Sequence, residues 1–250
     1  MTNSVSPFSI GEDHLTLREL AAVSRGGQRV QLSAPARARI ARARTVIDQI
    51  VAGGDRAASV YGVNTGFGFL ADVRISAAQI EELQRNLIRS HAAGVGPLLP
   101  VPVVRAMMLL RACTLSLGHS GTRVEVAQRL CDLLNHRIHP CVPAKGSVGA
   151  SGDLAPLAHL TLALIGEGEV QVGWPGPLRI EPAEQALRAA GIEKVVLQAK
   201  EGLALVNGTQ CMTAIGLLAL GDALDTCRLA DLAAAMALAA LLGPPRALAP

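Results

Sequence analysis

The chain has 250 residues, room for one large domain or two small ones, and half of them are hydrophobic, ample material for a buried core. Only 2% are aromatic, and the formal charge is +3 with the arginines spread along the chain, which excludes a base-stacking or phosphate-tracking nucleic-acid surface. Met1 to Glu12 is polar and lacks the apolar stretch of a signal peptide, and Cys113, Cys131, Cys141, Cys211 and Cys227 form no CxxC pair, so reduced thiols and a cytoplasmic location are expected.

In chain order, strand signals are few: His14 to Leu20, Val30 to Leu32 and Glu169 to Val172. Ser33 is placed to cap a helix through Val51, with Pro35 in the first turn, where a missing N–H costs little. Ser76 and Gln79 make a capping-box pattern before a helix from Ile80 to Ser90. Val101 to Leu117 reads as a long apolar helix with Arg105 and Arg111 on its wetter side, and Arg123 to Asn135 as another. A helix from Asp153 to Ile165 follows a Gly-rich turn, Glu169 to Ile180 holds a small hairpin, and Pro182 to Ala190 is a short helix. Gly208 to Leu242 reads as two buried bundle helices with a break near Gly221 to Thr226. Its apolar run from Leu229 is too short for a membrane span and contains Asp231, so no membrane partner is expected. The expected fold class is mainly α. Three Gly-rich loops, Tyr61 to Phe69, Gly94 to Pro97 and Gly146 to Gly152, interrupt the helices, and such loops are where function concentrates.

Four strings carry the chemistry. Gly146-Ser-Val-Gly-Ala-Ser-Gly-Asp-Leu-Ala-Pro-Leu-Ala-His159 lacks the spacing of a phosphate loop and, taken alone, is a helix-capping turn. Tyr61-Gly-Val-Asn-Thr-Gly-Phe-Gly68 holds the only tyrosine. Leu87-Ile-Arg-Ser-His-Ala-Ala-Gly-Val-Gly96 carries Ser90 and His91 at a helix end. Lys200-Glu-Gly-Leu-Ala-Leu-Val-Asn-Gly-Thr-Gln210 carries Asn207, which alone reads as the N-cap of the helix that follows. His136 and His139 are three apart beside Pro140, with no cysteine or carboxylate converging, so no metal is expected.

In this order, from about Leu15 to about Ala240, these strings resemble the histidine and aromatic amino-acid ammonia-lyase family. The resemblance implies a helical bundle of the fumarase/aspartase-like ammonia-lyase type with a small N-terminal α/β part. It divides the chain into an N-terminal cofactor-bearing domain, 1–206, and the start of a central helical bundle, 207–250. It implies that Ala150, Ser151 and Gly152 cyclise autocatalytically to 4-methylideneimidazol-5-one (MIO), with no external cofactor. The Gly152 nitrogen joins the Ala150 carbonyl carbon, an approach that glycine permits. Ser151 becomes the exocyclic methylene, and two waters leave. By the same resemblance Tyr61 is the catalytic base, Asn207 holds the ring, and Ser90 and His91 face the substrate side chain. The helix beginning near Asp153 is expected to set its positive end beside the ring.

Phenylalanine-selective members of the family carry apolar residues where this chain has Ser90-His91. The pair therefore favours an imidazole substrate and implies deamination of L-histidine to trans-urocanate and ammonia. A tyrosine or phenylalanine ammonia-lyase, an aminomutase, or an inactive truncated remnant of the fold are the alternatives. Family members are about twice this length and assemble as homotetramers whose shared sites draw further groups from the second half, which has no counterpart here. The ending Gly243 to Pro250 also departs from the family. The apolar faces between Gly208 and Leu242 are then expected to stand exposed and the chain to self-associate.

Overall fold

A computed structural model describes residues 6–12, 14–68, 71–76, 79–244 and 246. Phe69 of the first Gly-rich loop, residues 1–5 and most of the stretch after Gly243 lie outside the described residues.

The chain enters through β1 (Phe8–Ile10), which pairs in parallel with β2 (Val30–Leu32). Between them lies α1 (Leu17–Ser24), not the strand expected from His14 to Leu20. Thr16 and Glu19 close a reciprocal capping box, and that local bonding starts a helix where a strand was expected. As predicted, Ser33 caps α2 (Ala34–Ala52) through the Ala36 N–H. A single 3₁₀ turn (Gly54–Arg56) follows. α3 (Ile80–His91) begins after Gln79, but the capping box is not formed: the Ser76 hydroxyl donates to the Gln79 side chain, and no side chain caps the helix.

β3 (Val95–Leu98) pairs antiparallel with β5 (Pro143–Lys145), so the second Gly-rich segment is partly strand. α4 (Val101–Ser116) is the centre of the core, with α1 and α5 (Val124–His136) packed against it. β4 (His139–Pro140), β6 (Glu169–Val172) and β7 (Arg179–Pro182) form a small antiparallel sheet in the order β4-β6-β7. The β6–β7 pair is the predicted hairpin. α6 (Leu154–Leu164), α7 (Ala183–Ala189), α8 (Glu201–Val206) and α9 (Gln210–Ala240) complete the chain.

The arginines of α4 overturn an expectation. Arg105 and Arg111 are buried rather than on a wet face. Arg105 donates from Nε and Nη2 to the Val23 carbonyl (3.1 and 2.9 Å) and from Nη1 to the Leu134 carbonyl (3.1 Å). A buried charge is tolerable when its donors are met, and here carbonyls at the ends of two helices meet them. The Arg105 guanidinium also donates to His139 Nε2 (3.1 Å), whose Nδ1–H donates to the Gln171 carbonyl (3.2 Å). Both ring nitrogens of His139 are thus engaged within the fold.

α9 is one unbroken helix of 31 residues, not two. Gly221 costs a helix interior only about 1 kcal/mol. The Arg25 guanidinium fastens the next residue, donating to both Asp222 oxygens at 2.6 and 2.8 Å. By length and composition the longer stretch Glu201–Ala240, which takes in more than the run from Leu229, is apolar enough to cross a membrane. Its first turns pack on α4 and α1 as a core helix does, and Asp222, Asp225, Arg228 and Asp231 lie farther along it. Beyond Leu218 no residue of α9 is buried, which reverses the expectation of buried helices and bears out that of exposed apolar faces.

Candidate active site

The tripeptide Ala150-Ser151-Gly152 runs directly into the N-terminus of α6, at the positive end of that helix. Ala150 and Ser151 are exposed, whereas Gly152 and Asp153 are buried. A Cβ on residue 152 would meet Asn207 Oδ1 at 2.9 Å, so glycine is required for the Asn207 amide to lie this close. The Asp153 N–H donates to the Gly208 carbonyl (2.7 Å), which ties the strings around 152 and 207 together at the backbone.

Asp153 is the N-cap of α6, yet its side chain does not cap that helix. One carboxylate oxygen accepts from the Ser147 hydroxyl and the other from the Met212 N–H in the first turn of α9. Ser147 also accepts from the Gly149 N–H (3.1 Å), and Gly149 has φ +65°, a left-handed turn that glycine makes without strain. The loop is therefore braced from beneath by Asp153 while its tip faces outward.

Asn207 is the C-cap of α8, which corrects the expectation that it would cap the following helix; Thr209 stands at the N-cap of α9. Its position is set by Arg111. Nη2 donates to the Ala204 and Asn207 carbonyls, the latter at 2.9 Å, and Nη1 donates to Gln210 Oε1 at 2.9 Å. Burial pushes the Arg111 guanidinium down to about 10, still charged at neutral pH.

At the other end of α8 lies the Tyr61 string. Lys200, with φ +74°, donates from Nζ to the Tyr61 carbonyl (3.2 Å) and stands 5.9 Å from the centre of its ring. Phe67 meets the same ring edge-on at 6.1 Å, and the tyrosine remains 48% exposed. Asn64 holds the turn, accepting from the Val60 N–H (2.7 Å) and donating to the Ala58 carbonyl (3.0 Å). α8 has six residues and is about 9 Å long. It is a short strut with Tyr61 at its start and Asn207 at its end. Its first residue, Glu201, is fully buried and accepts from Arg123 at 2.8 and 2.9 Å.

Ser90 and His91 end α3. His91 Nδ1 lies 2.9 Å from the Leu87 carbonyl, so the proton sits on Nδ1 and Nε2 is left as an acceptor. The Ser90 hydroxyl donates to the same carbonyl (3.0 Å). Just beyond, Gly94 is wedged against the cofactor string: its N–H donates to His159 Nε2 (3.0 Å), and a Cβ on Gly146 would come within 3.2 Å of the Gly94 Cα. Burial lowers the His159 pKa, consistent with a neutral acceptor.

The fold thus brings the four strings to one region through direct contacts, Gly152 with Asn207, Gly94 with Gly146 and His159, and Tyr61 with Lys200. Sequence reasoning missed Arg111, Asp153, His159 and Lys200. The last three lie inside the quoted strings, but spacing alone names no partner. Arg111 had a visible signal, being one of only two charges on an otherwise apolar helix.

Known proteins resemble this chain in sequence and in fold. The family model for aromatic amino acid lyases matches residues 15–250. A histidine ammonia-lyase of Sorangium cellulosum (strain So ce56) is 55% identical over 232 residues, covering 93% of this chain and 44% of that protein. Among solved structures, histidine ammonia-lyase from Trypanosoma cruzi superposes with a TM-score of 0.86 at 41% identity, covering 96% of this chain and 45% of that one. Tyrosine aminomutase from Streptomyces globisporus superposes with a TM-score of 0.85 at 37% identity, covering 93% and 42%. The chain therefore spans less than half the length of the relatives it matches.

Proposed function

The chain belongs to the aromatic amino acid lyase family, and from that premise we propose that it is the cofactor-bearing part of a carbon–nitrogen lyase that converts L-histidine to trans-urocanate and ammonia. The observation that carries this reading is the seat of Gly152, where an Asn207 amide occupies the space a side chain would fill while Ala150 and Ser151 stay open to solvent. These residues fit MIO: the small residues leave the 150–152 backbone free to close on itself, and Asn207 stands where it can hold the ring oxygen. MIO supplies an electrophilic methylene, which makes loss of ammonia feasible where the β-proton is weakly acidic.

The chain's own residues have the following parts. Asn207, locked by Arg111, orients the ring through its side-chain amide. His91 presents Nε2 as an acceptor, suited to the N–H of an imidazole side chain. Tyr61, placed by Lys200, is the base that takes the β-proton. Residues 1–206 form the part that bears MIO, and 207–250 begin the central bundle of a cytoplasmic homotetramer.

Tyrosine aminomutase is the second reading, favoured by the structural likeness; the hydrogen-bonding His91 supports histidine over it. Intact-mass measurement of the purified chain tests the cofactor. We expect a mass two waters below the translated value, restored to the full value by Ser151→Ala. The full translated mass in the unaltered chain would mean that it builds no electrophile and is an inactive remnant. Turnover of histidine against tyrosine, measured where the mass shows ring closure, separates the two substrates.

A further inference from the structure

On another part of the surface, a cleft of about 530 Å³ opens between the end of α5 and the β6–β7 hairpin. Its walls carry Arg29, His136, Arg137 and Arg179 against a single carboxylate, Glu181, with Trp174 between them. Glu181 is already paired to Arg179 at 3.1 Å. Arg29 and Arg137, from separate elements, have no hydrogen bond or ion pair to a side chain among the described residues. One cation at the end of α5 would suffice to offset the helix dipole, an effect of a fraction of a kcal/mol. That leaves Arg29, on the same cleft, without a structural task.

Two further observations point the same way. Arg137 holds a left-handed backbone (φ +57°) just past α5, a position where glycine or asparagine is cheaper, and so its side chain is kept at a cost. The Trp174 ring in the wall is backed by the buried Arg105 guanidinium, 4.9 Å from the ring centre. The Arg137 charge is also felt there, adding to burial in lowering Arg105 to about 10. The cleft thus has a surplus of positive charge at its rim and a fourth guanidinium beneath its aromatic wall.

We infer that this cleft is a second binding site, for a small anion that carries a diphosphate group. Guanidinium forks match phosphate oxygens in pairs, and two unpaired forks from different elements suit two linked phosphates better than one. The inference is independent of the lyase reading, since no residue of the cleft belongs to the Tyr61–Gly152–Asn207 region.

Trp174 is the only tryptophan and lies in the wall, so its emission reports occupancy. The chain is titrated with pyrophosphate at constant ionic strength. We expect a saturable change that sodium chloride at matched ionic strength does not produce. Arg29→Gln and Arg137→Asn should each weaken half-saturation about tenfold, the loss of one charge-assisted bond. Asparagine suits the left-handed backbone, so Arg137→Asn retains the fold. ATP as a second probe, binding more tightly than pyrophosphate, would identify a nucleotide ligand; equal affinity would identify the diphosphate alone. No saturable change, or an unaltered titration in the double variant, would overturn the proposal.

Discussion

Two apolar helices of this chain have opposite fates. In α4, eleven of sixteen residues are buried, two of them arginines. In α9, four of thirty-one are buried, and all four lie within its first nine residues. Leu229 and Met236, farther along, are 64% and 65% exposed. Apolar content sets how much area a helix can bury, but what covers it depends on the elements the chain brings alongside. α4 has α1, α5 and the start of α9 around it. The far part of α9 has no such neighbours among the described residues and leaves large apolar side chains such as Leu224, Leu229, Leu232 and Met236 exposed to solvent.

Three experiments sharpen or break this contrast. The largest effect is expected from Arg105→Leu, which leaves the Val23 carbonyl buried without a donor and strips the Leu134 carbonyl of one of its two. Urea unfolding should show a loss of about 3–5 kcal/mol. A near-neutral result would mean that the α4 region tolerates dry carbonyls and is looser than its burial indicates.

A smaller effect comes from His139. Burial, aided by the adjacent Arg105 charge, pushes its pKa down to about 3 from the ordinary 6.5. Below pH 6.5 the unfolded chain takes up a proton that the folded chain refuses until about pH 3. Stability is therefore complete above pH 6.5 and is lost as the pH falls through that window, by about 2 kcal/mol at pH 5. His139→Gln should flatten that slope, and an unchanged slope would assign the loss to other groups. The smallest change in stability, within about 0.5 kcal/mol, is expected from Leu229→Glu with Leu232→Lys in distal α9. Sedimentation velocity should nevertheless show less self-association. A large loss of stability would mean that this surface is already packed.

Much of the fold was legible because its signals are local. The Ser33 cap, the β6–β7 hairpin and the helix after Gly152 each rest on a few adjacent residues. The strings of the candidate site were readable through their resemblance to the ammonia-lyase family, since each string taken alone reads as an ordinary turn, cap or loop. What escaped depends on partners distant in sequence. Arg105 and Arg111 read as surface charges because the carbonyls that receive them come from Val23, Leu134, Ala204 and Asn207. The supposed break in α9 read as one because Arg25, nearly two hundred residues earlier, gives no hint that it will grip Asp222. The strand expected from His14 to Leu20 failed because the Thr16–Glu19 capping box starts a helix there.

The continuity of α9 has a mechanical consequence. The helix is a rod about 46 Å long. One end is tied to the 146–152 loop where the Met212 N–H meets Asp153, and the Arg25–Asp222 pair holds the helix partway along. The arm from Met212 to Asp222 is about 15 Å, and the arm from Asp222 to Ala240 about 27 Å. The first arm is packed on α4 and α1, so the direction in which the second arm projects is set by the same packing that seats the Asp153 bond beneath Ser151.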